Sequence, residues 1–356
     1  MNSMKILFTG GGSYGHVSPI VCVFPYLKEA GRFTEFHWIG SASFEEGAAK
    51  DLGISYTHLK TAKVRRYMSW RNLADIFVLG FSLLKAYSIL KKIKPDAIFS
   101  TGGYVSVPVV LVGKMLGIKI AIHEQTVSFG LANKVGAHSA NVILLSDEGS
   151  LKFLGENKKK IAHVVGNPVN TKFFIPSKME DHFTFINSNK KILYITGGSQ
   201  GSQKINEAVF AILPKLVEEF NIIHQVGVND IVKAKELEKQ YSGFYIAKDF
   251  IGGEMPAIYQ HVHLVITRAG ANTVNELDAF GIPAIFIPLQ PCNNDEQYKN
   301  AIKFLTKNKG VIVKQDELGN GTSLLNAVFA LKNEVRGTAK GNSAAVEIAG
   351  YITELV

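Results

Sequence analysis

The stretch Lys5–Pro19, KILFTGGGSYGHVSP, decides how the rest of the chain is read. A short apolar run meets three glycines, Gly10–Gly12, followed by Ser13, Tyr14, Gly15 and His16 before apolar residues resume. Glycines where a strand gives way to a helix let backbone N–H groups approach an anion closely, and the helix N-terminus adds its dipole. A tight strand-to-helix turn asks for glycine on conformational grounds alone, so one such loop leaves both readings open. A partial second copy says more. KILYITGGSQG, Lys191–Gly201, repeats Lys-Ile-Leu, the paired glycines, the serine and the last glycine at a constant offset of 186 residues. This repeat predicts two similar domains.

Working outward from the two loops, apolar runs alternate with amphipathic stretches. Strands are expected at Lys5–Thr9, Glu35–Ile39, Ala97–Ser100, Ile118–Ile122, Val142–Leu145 and Ala162–Val165, with helices between them such as Pro19–Ala30 and Val107–Leu116. After GNPVN the rhythm restarts, with strands at Ile192–Thr196, Asn221–Gln225, Gly243–Ala247, His263–Thr267 and Ala284–Ile287. This βαβα alternation predicts an α/β protein of two doubly wound, parallel-sheet, Rossmann-like domains, with ligand in a cleft that both face. The expected division is 1–167 and 168–340, with a C-terminal helix within 341–356 returning to the first domain.

A length of 356 residues suits two domains of ordinary size. With 46% hydrophobic and 19% charged residues, the chain has enough apolar material for full cores and is neither disordered nor fibrous. Cys22 and Cys292 stand in no metal-ligand or redox spacing, which fits a reducing compartment. The apolar run after Met1 reaches glycine too soon for a secretory signal. The charge-free stretch Ala97–Gly113 holds two adjacent glycines and a proline and falls short of a spanning helix.

A net charge of +9 asks for an anionic partner. Between Lys60 and Lys94, Phe77, Phe81, Leu84 and Ile89 recur at roughly helical spacing, flanked by Arg65, Arg66, Lys91, Lys92 and Lys94. One reading is a buried crossover helix with solvated ends. The other is a face, carried by Arg65, Arg66, Phe77 and Phe81, that docks on an anionic membrane surface. No nucleic-acid-reading module is recognisable, so no nucleic-acid partner is expected. The first glycine run also departs from a dinucleotide site, because no acidic residue closes the second strand, and the P-loop Gly-Lys-Ser/Thr is missing.

The ordered motifs GGGSYGHVSP, STGGYVSVPVVLVGKMLGI, HEQTVSFGLANK, VVGNPV, TGGSQGSQKIN, RAGANTVNELDAFGIPAIFIPL and NDEQYKNA run nearly end to end. Through them the chain resembles the MurG family, GT-B glycosyltransferases that add N-acetylglucosamine to lipid I in peptidoglycan synthesis on the cytoplasmic face of the bacterial membrane. The resemblance implies a GT-B fold, UDP-N-acetylglucosamine as donor, lipid I as acceptor, no cofactor, a peripheral place on the inner membrane surface, and other cell-wall synthesis proteins as partners. It implies that Ser13, Tyr14 and Gly15 lie against the acceptor diphosphate, with His16 as general base. His16 at a helix start can also serve only to hydrogen-bond substrate. By the same resemblance Ser199 meets the donor phosphates, Ile251 meets uracil through its backbone, and Ala271, Asn272 and Thr273 sit beside the phosphates. Glu276 accepts the ribose hydroxyls and Gln297 contacts the sugar.

The chain departs from the family at Thr126, where asparagine is common, and at Asn170, where arginine is usual and a guanidinium is therefore missing, with Lys172 as a candidate substitute. Glu296 stands where histidine is frequent, and Tyr14 replaces a smaller residue. The sequence contains no Asp-x-Asp. Amides and helix N-termini are therefore expected to stabilise the leaving diphosphate. His261 and His263 lack carboxylate or cysteine partners for a zinc site, so no metal site is expected. Two other readings stand beside transfer to lipid I. One is a GT-B protein acting on another glycolipid or as a sugar-nucleotide epimerase, and the other is a noncatalytic nucleotide-sugar-binding protein that recruits to membranes.

Overall fold

The inner strands form because their residues are apolar on both faces, as in parallel sheets covered by helices on each side. The computed structural model describes the backbone of residues 4–41, 43–61, 71–127, 129–185, 189–290, 295–339, 341 and 343–356, and the side chains of all of these except 14, 43 and 71–77. It divides into two compact units, Met1–Asn170 with Asn342–Val356, and Thr171–Gly341.

In unit 1, β1 (Met4–Gly10), β2 (Phe33–Gly40), β3 (Ser55–His58), β4 (Ala97–Gly102), β5 (Lys119–Glu124), β6 (Val142–Leu145) and β7 (Ala162–Val164) build one parallel sheet, ordered β3-β2-β1-β4-β5-β6-β7. Helices α1 (Tyr14–Glu29), α2 (Ser43–Leu52), α3 (Arg71–Ile93), α4 (Ser106–Met115), α5 (Leu131–Ser139) and the short α6 (Glu156–Lys159) connect the strands. β4 is buried along its whole length. Phe8, Trp38 and Phe99 are among the largest fully buried side chains, and Phe8 meets the rings of Trp38 and Phe99 edge-on.

Unit 2 repeats the plan. Its sheet runs β10-β9-β8-β11-β12-β13, formed by β8 (Lys191–Thr196), β9 (Phe220–Gln225), β10 (Tyr245–Lys248), β11 (Leu264–Thr267), β12 (Ala284–Phe286) and β13 (Gly310–Ile312). Helices α7 (Gln203–Glu219), α8 (Ile231–Gln240), α9 (Met255–His261), α10 (Ala271–Phe280), α11 (Glu296–Leu305) and α12 (Thr322–Leu331) accompany it. In both sheets the first strand in sequence, β1 or β8, lies next to the fourth, so the winding reverses beside the glycine loop that succeeds the first strand. That reversal is where doubly wound sheets form ligand crevices.

The last helix, α13 (Ala344–Glu354), belongs to unit 1. Its Ala345, Ile348, Ala349 and Ile352 share a core with Ile6, Phe8, Val17 and Ile20.

The elements differ from the sequence-based expectation at two strands and at one helix start. Strands β3 and β13 are additional to the expected set: both are short, and neither has a fully buried residue. Helix α1 starts five residues before Pro19, because Ser13 is extended (φ −155°) and ends the glycine loop there. Helix α3 buries Ser82, Ala86 and Leu90, whereas Phe81 and Leu84 are 68% and 72% exposed. Arg65 and Arg66 lie outside the described residues, as does the side chain of Phe77.

Candidate functional site

In unit 1 the first glycine loop joins β1 to α1. Gly103 fixes its position: its φ is +83°, and a Cβ there would stand 2.1 Å from the Gly11 carbonyl oxygen, so a side chain on Gly103 would push the two loops apart. The Gly11 N–H donates to the Gly102 carbonyl (3.3 Å). The Gly12 N–H donates to Glu45 Oε1 (2.6 Å), and the Ser41 N–H donates to the other oxygen of the same carboxylate. Glu45 is fully buried. The amides of Gly11 and Gly12 are thus engaged inside the protein, and an anion at this loop is left the groups from Ser13 onward. The Trp38 indole N–H donates to the Gly10 carbonyl (3.3 Å).

His16 sits in the first turn of α1. Its carbonyl accepts the Thr101 hydroxyl, and its Nδ1 is buried without a hydrogen-bond partner among the described residues. Burial holds its imidazole below the usual histidine pKa, against opposing effects from the Thr101 main chain, the Gln125 side chain and the Glu45 charge. The ring is therefore neutral at pH 7, the state a general base needs.

Beside it, the end of β5 carries a buried polar network. Glu124 accepts from the Thr126 N–H and hydroxyl (3.1 and 3.0 Å), the Gly130 N–H (2.9 Å) and Asn133 Nδ2 (3.0 Å). Gln125 Nε2 donates to the Thr101 carbonyl (2.8 Å), and the Gln125 carbonyl accepts from Asn167 (3.1 Å). Burial lowers the His123 pKa to about 4, and its Nε2 pairs with the Gly166 carbonyl (3.0 Å). Thr126, a candidate sugar contact, thus directs its hydroxyl at Glu124. Asn170 is half-buried at the end of the unit's first segment.

In unit 2 the second loop is pinned in the same manner. Gly201 (φ +75°) lies so close to the next loop that a Cβ would stand 2.0 Å from the Val226 carbonyl oxygen. Ser199 is exposed at the tip. Gln225, buried at the end of β9, is the hub that sequence reading missed. Its Nε2 donates to the Gly198 carbonyl (2.8 Å), and its Oε1 accepts the Ile251 N–H (3.1 Å). The loop and Ile251 are therefore held to one side chain. Because the Ile251 N–H is taken, the carbonyl is the backbone group it can offer a base.

Gly270 leads into α10, so Ala271, Asn272 and Thr273 form its first turn. Glu276 lies one turn further on, its Oε2 accepting the Tyr259 hydroxyl (2.5 Å). Burial raises its carboxyl pKa, and the Tyr259 hydrogen bond opposes that. Gln297, at the start of α11, accepts the Leu289 N–H through Oε1 (2.9 Å). Arg268, between β11 and α10, donates to the Ser202 hydroxyl and to Gln315 Oε1, both at 2.7 Å, and to the Ile287 carbonyl at 2.9 Å. No pattern in the sequence separates Arg268, Glu45 or Gln225 from solvated polar residues. Among the described residues no cluster of three or more His, Cys, Asp or Glu forms a metal site. His263 Nδ1 accepts the Ile192 N–H (3.1 Å), and His261 Nδ1 pairs with the Ala257 carbonyl (2.9 Å), both structural uses.

Two doubly wound units with glycine loops at the winding reversal form a paired Rossmann-like architecture, and the models of both glycosyltransferase family 28 domains match it, the N-terminal domain over residues 6–145 and the C-terminal domain over 192–349, so the chain is of the glycosyltransferase class. The chain is 36% identical to a protein of Lachnospira eligens over 90% of this chain and 89% of that one. It is 34% identical to one of Lachnoclostridium phytofermentans over 99% of both, and 34% to one of Borreliella burgdorferi over 96% and 91%. Each of these is named UDP-N-acetylglucosamine–N-acetylmuramyl-(pentapeptide) pyrophosphoryl-undecaprenol N-acetylglucosamine transferase, and the chain belongs to this family. Among solved structures, MurG of Acinetobacter baumannii aligns with a TM-score of 0.71 at 24% identity over 99% of both chains. A UDP-GlcNAc 2-epimerase of Neisseria meningitidis aligns at 0.66 and 15% identity over 97% of this chain and 98% of that one. These two likenesses carry the fold alone.

Proposed function

We propose that this protein transfers N-acetylglucosamine from UDP-N-acetylglucosamine to the muramoyl 4-hydroxyl of undecaprenyl-diphosphate-linked N-acetylmuramoyl-pentapeptide, with inversion at the anomeric carbon. The observation that carries the proposal is near full-length similarity at 34–36% identity to relatives that share this activity in their names. The epimerase reading has only fold likeness behind it, and a shared fold does not carry a shared reaction.

In the reaction the acceptor oxygen attacks C1 of the sugar, and the bond from C1 to the β-phosphate oxygen breaks with its electron pair leaving on UDP. The hydroxyl proton passes to His16, whose neutral, half-buried ring suits the task. On the donor side, Glu276 Oε1 accepts a ribose hydroxyl while Tyr259 holds Oε2. The Ile251 carbonyl faces the uracil, and Ser199 with the first turn of α10 faces the diphosphate. Gln297 presents its amide to the sugar, with Leu289 fixing the orientation. Ser13, Tyr14 and Gly15 face the acceptor diphosphate, and Thr126 and Asn170 border the sugar and phosphates. Unit 1 takes the acceptor and unit 2 the donor.

On this reading the protein works peripherally at the cytoplasmic face of the bacterial cell membrane, beside other cell-wall synthesis proteins. No described helix is long and apolar enough to cross a membrane. The exposed Phe81 and Leu84 of α3, with Lys85, Lys91 and Lys92 exposed on the same helix, supply apolar area and positive charge for an anionic lipid surface. The test is incubation of purified lipid I with labelled UDP-N-acetylglucosamine, with and without chelator. Labelled disaccharide lipid in both arms is expected. Release of UDP without labelled lipid, or binding without turnover, refutes the proposal.

A further inference from the structure

We infer that Arg268 is a positioning residue for the donor diphosphate, fixing the second glycine loop through Ser202 and lending that edge of unit 2 an uncompensated positive charge. The inference rests on the donor-binding reading above. Arg268 comes directly after β11, the strand beside β8 at which the winding of the sheet reverses. Its guanidinium ties three connections together: Ser202 at the end of the second glycine loop, Ile287 after β12 with Pro288 at 3.4 Å, and Gln315. Gln315 in turn donates to the Gln290 carbonyl (3.0 Å). The planar fork of arginine suits such divergent acceptors, and the single ammonium of lysine does not.

All of these acceptors are neutral. Among the described residues no carboxylate pairs with Arg268, although it is half-buried. Partial burial lowers its pKa from the ordinary arginine value of 12.5, but an arginine begins so high that it stays charged at neutral pH. A half-buried charge without a counter-ion costs free energy. Neutral acceptors call for N–H donors and not for a charge, so the positive charge itself is left without a structural use. An arriving diphosphate supplies the missing negative partner, and the same field favours UDP as charge grows on its leaving oxygen.

The test measures binding of UDP and of uridine, which has no phosphate, to the unaltered protein, Arg268→Gln and Arg268→Lys. Arg268→Gln should weaken UDP by about 10- to 100-fold, the scale of one charge interaction across roughly 6–12 Å at an effective dielectric of about 20. Uridine should change by less than about threefold, the scatter expected when no hydrogen bond to the nucleoside is lost. Arg268→Lys keeps the charge and should hold the preference for UDP over uridine within about tenfold of the unaltered protein. If the glutamine variant does not fold, this lysine ratio decides. Equal weakening of UDP and uridine, or a lysine variant no better than glutamine for UDP, overturns the inference. Failure of the unaltered protein to bind either ligand overturns the donor reading itself.

Discussion

Replacing Glu276 with alanine removes the carboxylate proposed to take a ribose hydroxyl. The structure sets the size of the loss. Tyr259 occupies Oε2, so Oε1 is the oxygen open to the ribose, and one hydrogen bond to a charged acceptor contributes about 1.5–3 kcal/mol. That corresponds to a loss of UDP affinity of roughly 10- to 150-fold. The substitution also removes the hydrogen bond from Tyr259, a residue only 2% exposed, which costs stability in the free and bound protein alike. A cycle separates the two effects. Calorimetry compares UDP with 2′,3′-dideoxy-UDP on both proteins. Loss of the hydroxyls should cost affinity on the unaltered protein and almost nothing on Glu276→Ala. The reasoning fails if UDP binds both proteins equally, or if the dideoxy compound suffers the same loss on each. The pH dependence gives an independent reading. The folded carboxyl pKa lies above the 4.5 of an ordinary glutamate, so the stability this group contributes is present at low pH and falls as pH rises through the folded value. UDP needs the carboxylate, so its affinity should fall as pH drops through that same value. In Glu276→Gln this limb should vanish.

For His16→Ala, turnover should drop by about two to four orders of magnitude with UDP affinity nearly intact. The acid limb of single-turnover transfer should lie below pH 6.5, the ordinary histidine value from which burial lowers this group, and its survival in the alanine variant would assign the proton elsewhere. Glu45→Ala should destabilise the fold by about 1–3 kcal/mol, because the Gly12 and Ser41 amides lose a buried acceptor. Urea unfolding checks this, and a change below about 0.5 kcal/mol, the scale of ordinary surface substitutions, would remove Glu45 from the loop's support. Phe81→Asp with Leu84→Asp, or Arg65→Glu with Arg66→Glu, should lower sedimentation with anionic vesicles while sparing turnover of a soluble acceptor. Equal binding of the unaltered protein to anionic and neutral vesicles would count against the patch.

The doubled sheet was legible because KIL-to-glycine signals mark β1 and β8, and because inner strands buried on both faces read as unbroken apolar runs. β3 and β13 were not, since SYTH and GVI are too short and too mixed to stand out from loop. The site was legible where a residue sits in a motif, as with His16 and Glu276. It was illegible where the role depends on a partner far along the chain. Glu45 looks like an ordinary acidic residue of a helix's first turn, and only the fold brings it to Gly12, 33 positions away. Gln225 closes an apolar strand, and Arg268 opens the RAGAN motif. Neither announces that it will face Gly198 or Ser202, residues 27 and 66 positions away.

Helix α13 contributes Ala345, Ile348, Ala349 and Ile352 to a core whose other members begin at Ile6. A ribosome therefore exposes the glycine loop of β1 and α1 first, then makes the whole of Thr171–Gly341, and only afterwards delivers the helix that covers the back of α1. The first-made unit must wait with an apolar face uncovered until the whole of the inserted unit has been made, while the inserted unit has all its residues in one uninterrupted run and can complete its core earlier. Premature termination just ahead of Ala344 would thus spare the later-made unit and cripple the earlier one.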